Sequence, residues 1–172
     1  QYNEKELIKK ESKNIFTDKS LNNFFYLDLI KSLFPNAKII NCKRNYLASI
    51  MSILQNNLTE LPWAHNVENI FRYFDMYFNT INKFRKNNPK FIYDLQFEKF
   101  TNDPEEGSKE LMKYCELEWD KKCLQFYKRK DIISKTTSYL QIRSPVYKHP
   151  AKKYLPYREF LESVGKKYSW FV

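Results

Sequence analysis

The chain has 172 residues, 42% hydrophobic and 17% aromatic, enough for one domain with a real core, and this excludes a disordered middle. Thirty Lys and Arg against 20 Asp and Glu leave a formal charge of +10. Most of that charge is expected as a solvated lysine surface, and its summed field attracts anionic ligands. Two glycines, Gly107 and Gly165, exclude a glycine-rich phosphate loop within these residues, and no apolar run is long enough to span a bilayer.

Residues 1–14 are polar and read as a connector. Asn14 to Thr17 is expected to be a short strand leading into Asp18-Lys19. Ser20 is a plausible N-cap for a helix through Leu33, with Leu21, Phe24, Phe25, Ile30 and Leu33 near one face. Pro35-Asn36 ends it. Residues 38–42 form an apolar strand that carries Cys42 as a buried thiol. It ends in Lys43-Arg44 and runs into a helix over 45–55. Leu47, Ile50, Met51 and Leu54 define the apolar side of that helix; Ser49 and Ser52 lie on its polar side.

A loop over 58–65 precedes the clearest helix, 66–86. Val67, Ile70, Phe71, Phe74, Tyr77, Phe78, Ile81 and Phe84 make one stripe there, and Asn87-Asn88-Pro89 stops it. Residues 91–97 are expected as a second parallel strand. Asp103-Pro104-Glu105-Glu106 is a helix start with an N-cap, a proline in the first turn and acids at the positive dipole end. That helix should reach Tyr114, and Trp119-Asp120 opens another short one. Residues 131–152 look irregular, and a last helix begins near Pro156. Strands alternating with helices point to an α/β domain with a parallel sheet.

The stretch from Lys38 to Ser52 carries the most chemistry. An arginine at the carboxyl end of a strand, beside a helix N-terminus, can fork onto two oxygens of a phosphate. A serine hydroxyl eight residues on can add a hydrogen bond. Three cysteines without C-x-x-C spacing, and His65 far from His149, argue against a disulfide framework and give no metal site.

The order strand–Arg44–x7–Ser52–helix resembles the 3′-phosphate site of sulfotransferases that use 3′-phosphoadenylyl sulfate. Other segments resemble the same family in the same order. Thr17-Asp18-Lys19 is similar to its "DK-x-P" entry, with Ser20-Leu21 in place of the usual proline. Phe97-Glu98-Lys99-Phe100 through Asp103-Pro104 is similar to its "YEDL…DP" segment. Thr136 to Pro145 resembles the "T-x-S-x-x-Q-V-R-x-P" run of the branch associated with tetratricopeptide repeats, to which the tyrosylprotein sulfotransferases are also similar. Lys153-Tyr154 with Tyr157 resembles that branch's "basic–Trp–x–x–Tyr" ending. The likeness spans roughly Phe16 to Leu161.

The resemblance implies a P-loop-type parallel sheet flanked by helices. It implies transfer of a sulfuryl group from 3′-phosphoadenylyl sulfate to an acceptor hydroxyl or amine, without a metal. Arg44, Ser52 and Lys153 would hold the 3′-phosphate, and Phe97 would stack on adenine. Ser138 would bond the cofactor from the covering loop, and Lys19 would meet the transferring group as the catalytic cation. The 5′-phosphosulfate loop and a catalytic base have no counterpart, and Glu60, Glu68 and His65 have no spacing that favours them as base. With Gln1 as first residue, residues 1–172 are therefore expected to be one domain fragment whose upstream part is missing, with tetratricopeptide repeats a candidate upstream neighbour. The acceptor is unknown, no nucleic acid or membrane partner is expected, and a cytoplasmic location is expected.

Two other classes compete. A P-loop kinase-like phosphotransferase shares the layout but needs a glycine-rich loop and a magnesium-binding Asp at a strand end. A nucleic-acid-binding module fits the charge of +10, but the aromatics fall on helical core stripes rather than interleaving with Lys and Arg on an open sheet.

Overall fold

The computed structural model describes residues 15–56, 58–129, 143–146 and 153–171. Two strands, β1 (Ile39–Lys43) and β2 (Ile92–Gln96), pair in parallel, with Ile39 opposite Ile92 and Lys43 opposite Gln96. The architecture is α/β, a small parallel sheet flanked by helices. A 3-10 turn (Asn23–Tyr26) and helix α1 (Leu27–Leu33) precede β1. Helices α2 (Tyr46–Gln55) and α3 (Val67–Asn87) form the crossover between the strands. After β2 come α4 (Phe97–Asn102), α5 (Pro104–Tyr114), a 3-10 segment (Lys121–Lys128) and, near the C-terminus, α6 (Arg158–Gly165).

The long helix forms as its stripe predicts. The Asn66 side chain caps α3 by accepting the Asn69 N–H at 3.1 Å. At the far end Asn88 donates to the Phe84 carbonyl at 3.0 Å, just before Pro89. One side of α3 buries Ile70 and Phe71 completely, against Ile50 and Met51 of α2 and Leu161 and Val164 of α6. A second side buries Tyr73, Ile81 and Phe84 against Phe24 and Leu27. Tyr73 lies off the expected stripe. Its ring stacks on Trp63 at 4.0 Å, and its hydroxyl donates to Leu21 O and Asn22 Oδ1.

Alternation decides the two faces of β1. Ile39, Asn41 and Lys43 turn toward the covered face; Ile40 and Cys42 lie on the open one. Cys42, expected as a buried thiol, is therefore exposed. At the starting end of the sheet the Tyr114 hydroxyl reaches the carbonyls of Ile39 (3.2 Å) and Phe91 (3.0 Å), tying α5 to both strands.

Three other expectations change. Residues 15–20 are irregular and exposed, so no strand precedes Lys19 among the described residues. Ser20 does not cap a helix running to Leu33. A 3-10 turn changes to α geometry at Leu27, and a change from 3.0 to 3.6 residues per turn breaks the face that a single helix would have kept. Phe24 and Leu27 are buried, while Leu21, Phe25 and Leu33 are exposed. The second strand ends at Gln96, so Phe97 opens α4 rather than closing β2. Asp103, Pro104 and the acids behind them start α5 as read, with Asp103 accepting the Glu106 N–H at 3.1 Å.

Candidate anion-binding site

Parallel pairing brings the carboxyl ends of β1 and β2 side by side. Because Lys43 lies opposite Gln96, Arg44-Asn45 lies beside Phe97-Glu98. The Arg44 guanidinium sits over the Phe97 ring, 5.4 Å from its centroid. Among the described residues Arg44 makes no hydrogen bond or ion pair, so its N–H donors remain available to a ligand. Two residues singled out by sequence thus meet at one strand-tip site, both half-buried.

The start of α2 is already occupied in part by protein groups. The Asn45 side chain accepts the Ala48 N–H at 2.9 Å, and Glu98 Oε1 accepts the Asn45 N–H at 2.8 Å. A bound anion would rely on the Arg44 fork and on hydroxyls more than on these helix N–H groups. Asn45, Ser49, Ser52 and Asn56 share one side of α2, at steps of four, three and four residues. Ser49 Oγ donates to Asn45 O at 3.1 Å, and Ser52 Oγ accepts from Asn56 Nδ2 at 3.1 Å. Among the described residues the Ser52 hydroxyl has no acceptor for its own proton. Ser52 stands about 10 Å along the axis from Asn45.

Under the strand tips lies a network that sequence reasoning missed. Asp94 on β2 takes an ion pair from Lys43 at 2.7 Å, another from Arg85 of α3, and a hydrogen bond from Asn41 at 2.9 Å. The Tyr77 hydroxyl donates to Asn41 Oδ1 at 2.8 Å. Burial by itself raises the Asp94 pKa, but the hydrogen bonds from Lys43, Asn41 and Arg85 outweigh it and hold the carboxyl below its ordinary value. Burial pushes the Tyr77 phenol up to about 12. The available signal was parity. Asn41 and Lys43 share a face of β1, and a carboxylate in the middle of β2 needs a cation opposite.

The other candidates are not drawn together. Lys19 is exposed on the irregular stretch, and no hydrogen bond, ion pair or ring contact joins it to Arg44 or Phe97 among the described residues. Lys153 is exposed on a turn whose Tyr154 packs against the cluster shared by α2, α3 and α6. Ser138 lies outside the described residues. Glu68 is engaged by Lys167 at 2.7 Å, and His65 Nε2 bonds the Leu58 carbonyl at 3.1 Å. A cleft of about 180 Å³ opens elsewhere, along β2 and between α4 and α5. Its lining includes Lys99 together with Asp94, Asp103, Glu106 and Glu110; Lys99 pairs with Glu110 at 3.2 Å, and Asp94 is already paired with Lys43 and Arg85.

A family model described as "Sulfotransferase family" matches residues 1–121, most of the chain. The chain belongs to the sulfotransferase family. The matched span contains both strands, α2 and the Arg44–Phe97 pair, while Ser138 and Lys153 lie beyond it. An uncharacterized protein of Aquifex aeolicus (strain VF5) is 34% identical over 157 residues, 86% of this chain and 20% of that protein. The chain thus spans about a fifth of that relative's length. No helix among the described residues is long and apolar enough to cross a membrane, and no three His, Cys, Asp or Glu there gather as a metal-holding group.

Proposed function

We propose that the chain contributes the nucleotide-holding part of a sulfotransferase that takes 3′-phosphoadenylyl sulfate as donor and an alcohol or amine as acceptor. The observation that carries this reading is the Arg44 guanidinium lying over Phe97, with no hydrogen bond or ion pair to it among the described residues, at the adjoining ends of two parallel strands. The donor supplies an activated sulfuryl group and leaves as adenosine 3′,5′-bisphosphate. Arg44 forks onto the 3′-phosphate, and Ser52 donates to the same group. Phe97 offers its ring to adenine; as a phenylalanine it stacks without contributing a hydroxyl. Lys19 stabilises charge on the departing 5′-phosphate, Lys153 joins Arg44 on the 3′-phosphate, and Ser138 hydrogen-bonds the cofactor. Much of the catalysis is alignment and electrostatic stabilisation. The 3′-phosphate contact separates this donor from ATP.

Calorimetry with adenosine 3′,5′-bisphosphate tests the reading. The chain should bind it, and Arg44→Ala should weaken binding by about 2–3 kcal/mol, the value of a charge-assisted bidentate contact. Equal binding by wild type and Arg44→Ala would sink it. Tight, steeply salt-dependent binding of oligonucleotides instead would point to a nucleic-acid module.

A further inference from the structure

We infer that Glu98 is a positioning residue for the Arg44 site: its carboxylate fixes the peptide between Arg44 and Asn45, and through it the aim of the guanidinium. The inference rests on the reading of Arg44 given above and deepens it. Glu98 Oε1 accepts the Asn45 N–H at 2.8 Å. Asn45 is non-helical (φ −47°, ψ 123°), and its own side chain is committed to capping α2. Its N–H lies outside the helix ladder, so Glu98 supplies the partner that sets this peptide plane.

Glu98 does not neutralise Arg44. Arg44 meets the Phe97 ring, and no ion pair joins Arg44 to Glu98 among the described residues. Adjacent residues of α4 therefore divide the task, Phe97 seating the Arg44 side chain and Glu98 seating the backbone behind it. One residue earlier, the Lys43–Asp94 pair holds the end of β1 to β2. Three successive contacts, at 43, 44 and 45, fasten one strand tip to the other. A guanidinium so held loses less freedom when it forks onto a phosphate.

The test uses the full chain and two probes, adenosine 3′,5′-bisphosphate and adenosine 5′-phosphate, by calorimetry, with thermal melting alongside. Glu98→Ala should bind the bisphosphate about tenfold more weakly, while its affinity for adenosine 5′-phosphate stays within about twofold. Glu98→Gln keeps an acceptor oxygen at the same reach and should stay within about threefold of wild type for both. Glu98→Asp keeps the charge but falls one methylene short, and should behave as Glu98→Ala. If Glu98→Ala does not fold, the Gln and Asp variants decide: Asp near wild type with Gln impaired overturns the inference. Equal losses for both nucleotides, or no loss in Glu98→Ala, also overturn it. If Arg44→Ala loses the bisphosphate and Glu98→Ala does not, this inference alone falls. If wild type does not bind the bisphosphate, or Arg44→Ala binds it as wild type does, both readings fall.

Discussion

The apolar side of helix α2 and the turn that leads into it belong to different kinds of structure. Along its apolar side, Ile50 and Met51 sink into a cluster with Ile70, Phe71, Leu161 and Val164, and Phe71 touches Tyr168, Trp170 and Phe171. Trp170 continues that aromatic surface to Phe78 (4.9 Å) and to Tyr46 (5.9 Å), the first residue of α2. At the other extreme, the turn into α2 is held by a carboxylate, a capping amide and a cation over a ring. The first region is stable through close packing and is indifferent to charge. The second is half-open, polar and directional, the condition for binding something. Stability and ligand affinity should therefore separate under mutation.

The sharpest break is Phe71→Ala. Phe71 is completely buried, so its removal should cost about 3–5 kcal/mol of stability, read from a urea denaturation midpoint. A loss under 1 kcal/mol would mean that the core does not depend on this ring. Arg44→Ala should do the reverse, lowering affinity by about 2–3 kcal/mol while the melting temperature holds nearly constant.

Asp94 lies between these extremes. Its folded pKa is depressed, so its contribution is full above the unfolded carboxylate value near 3.9 and disappears as pH falls through the lower folded value. Stability should drop in that acidic window, and Asp94→Asn should flatten that part of the profile. An unchanged acid limb in the variant would show that Lys43 and Arg85 do not depend on the carboxylate. Ser52→Ala is the smallest change. It should weaken bisphosphate binding by about 1 kcal/mol and leave stability within about 0.5 kcal/mol. At high pH the phenols of Tyr73 and Tyr77 act the other way. Both are raised to about 12 by burial, so the stability they add is present below pH 10 and fades between about 10 and 12.

Periodicity and punctuation determined much of this protein unaided. The α3 stripe, the Asp103-Pro104 helix start, the apolar run before Arg44 and the Asn-Asn-Pro stop are local signals, and each acts within a turn or two of chain. The placing of Arg44 at a strand tip and of Ser52 on the polar side of the next helix was legible for the same reason, since both can be read from spacing. What lay beyond sequence was which partners sit across the sheet. Register alone set Phe97 and Glu98 beside Arg44 and Asn45, while register together with α3 packing over that face gave Asp94 to Lys43 and Arg85. The exposure of Cys42 and the burial of Tyr73 were likewise settled by which face another element covered. The reason is physical: a backbone expresses its propensities over a few residues, whereas a cross-strand contact joins groups some fifty residues apart, and only packing decides that distance.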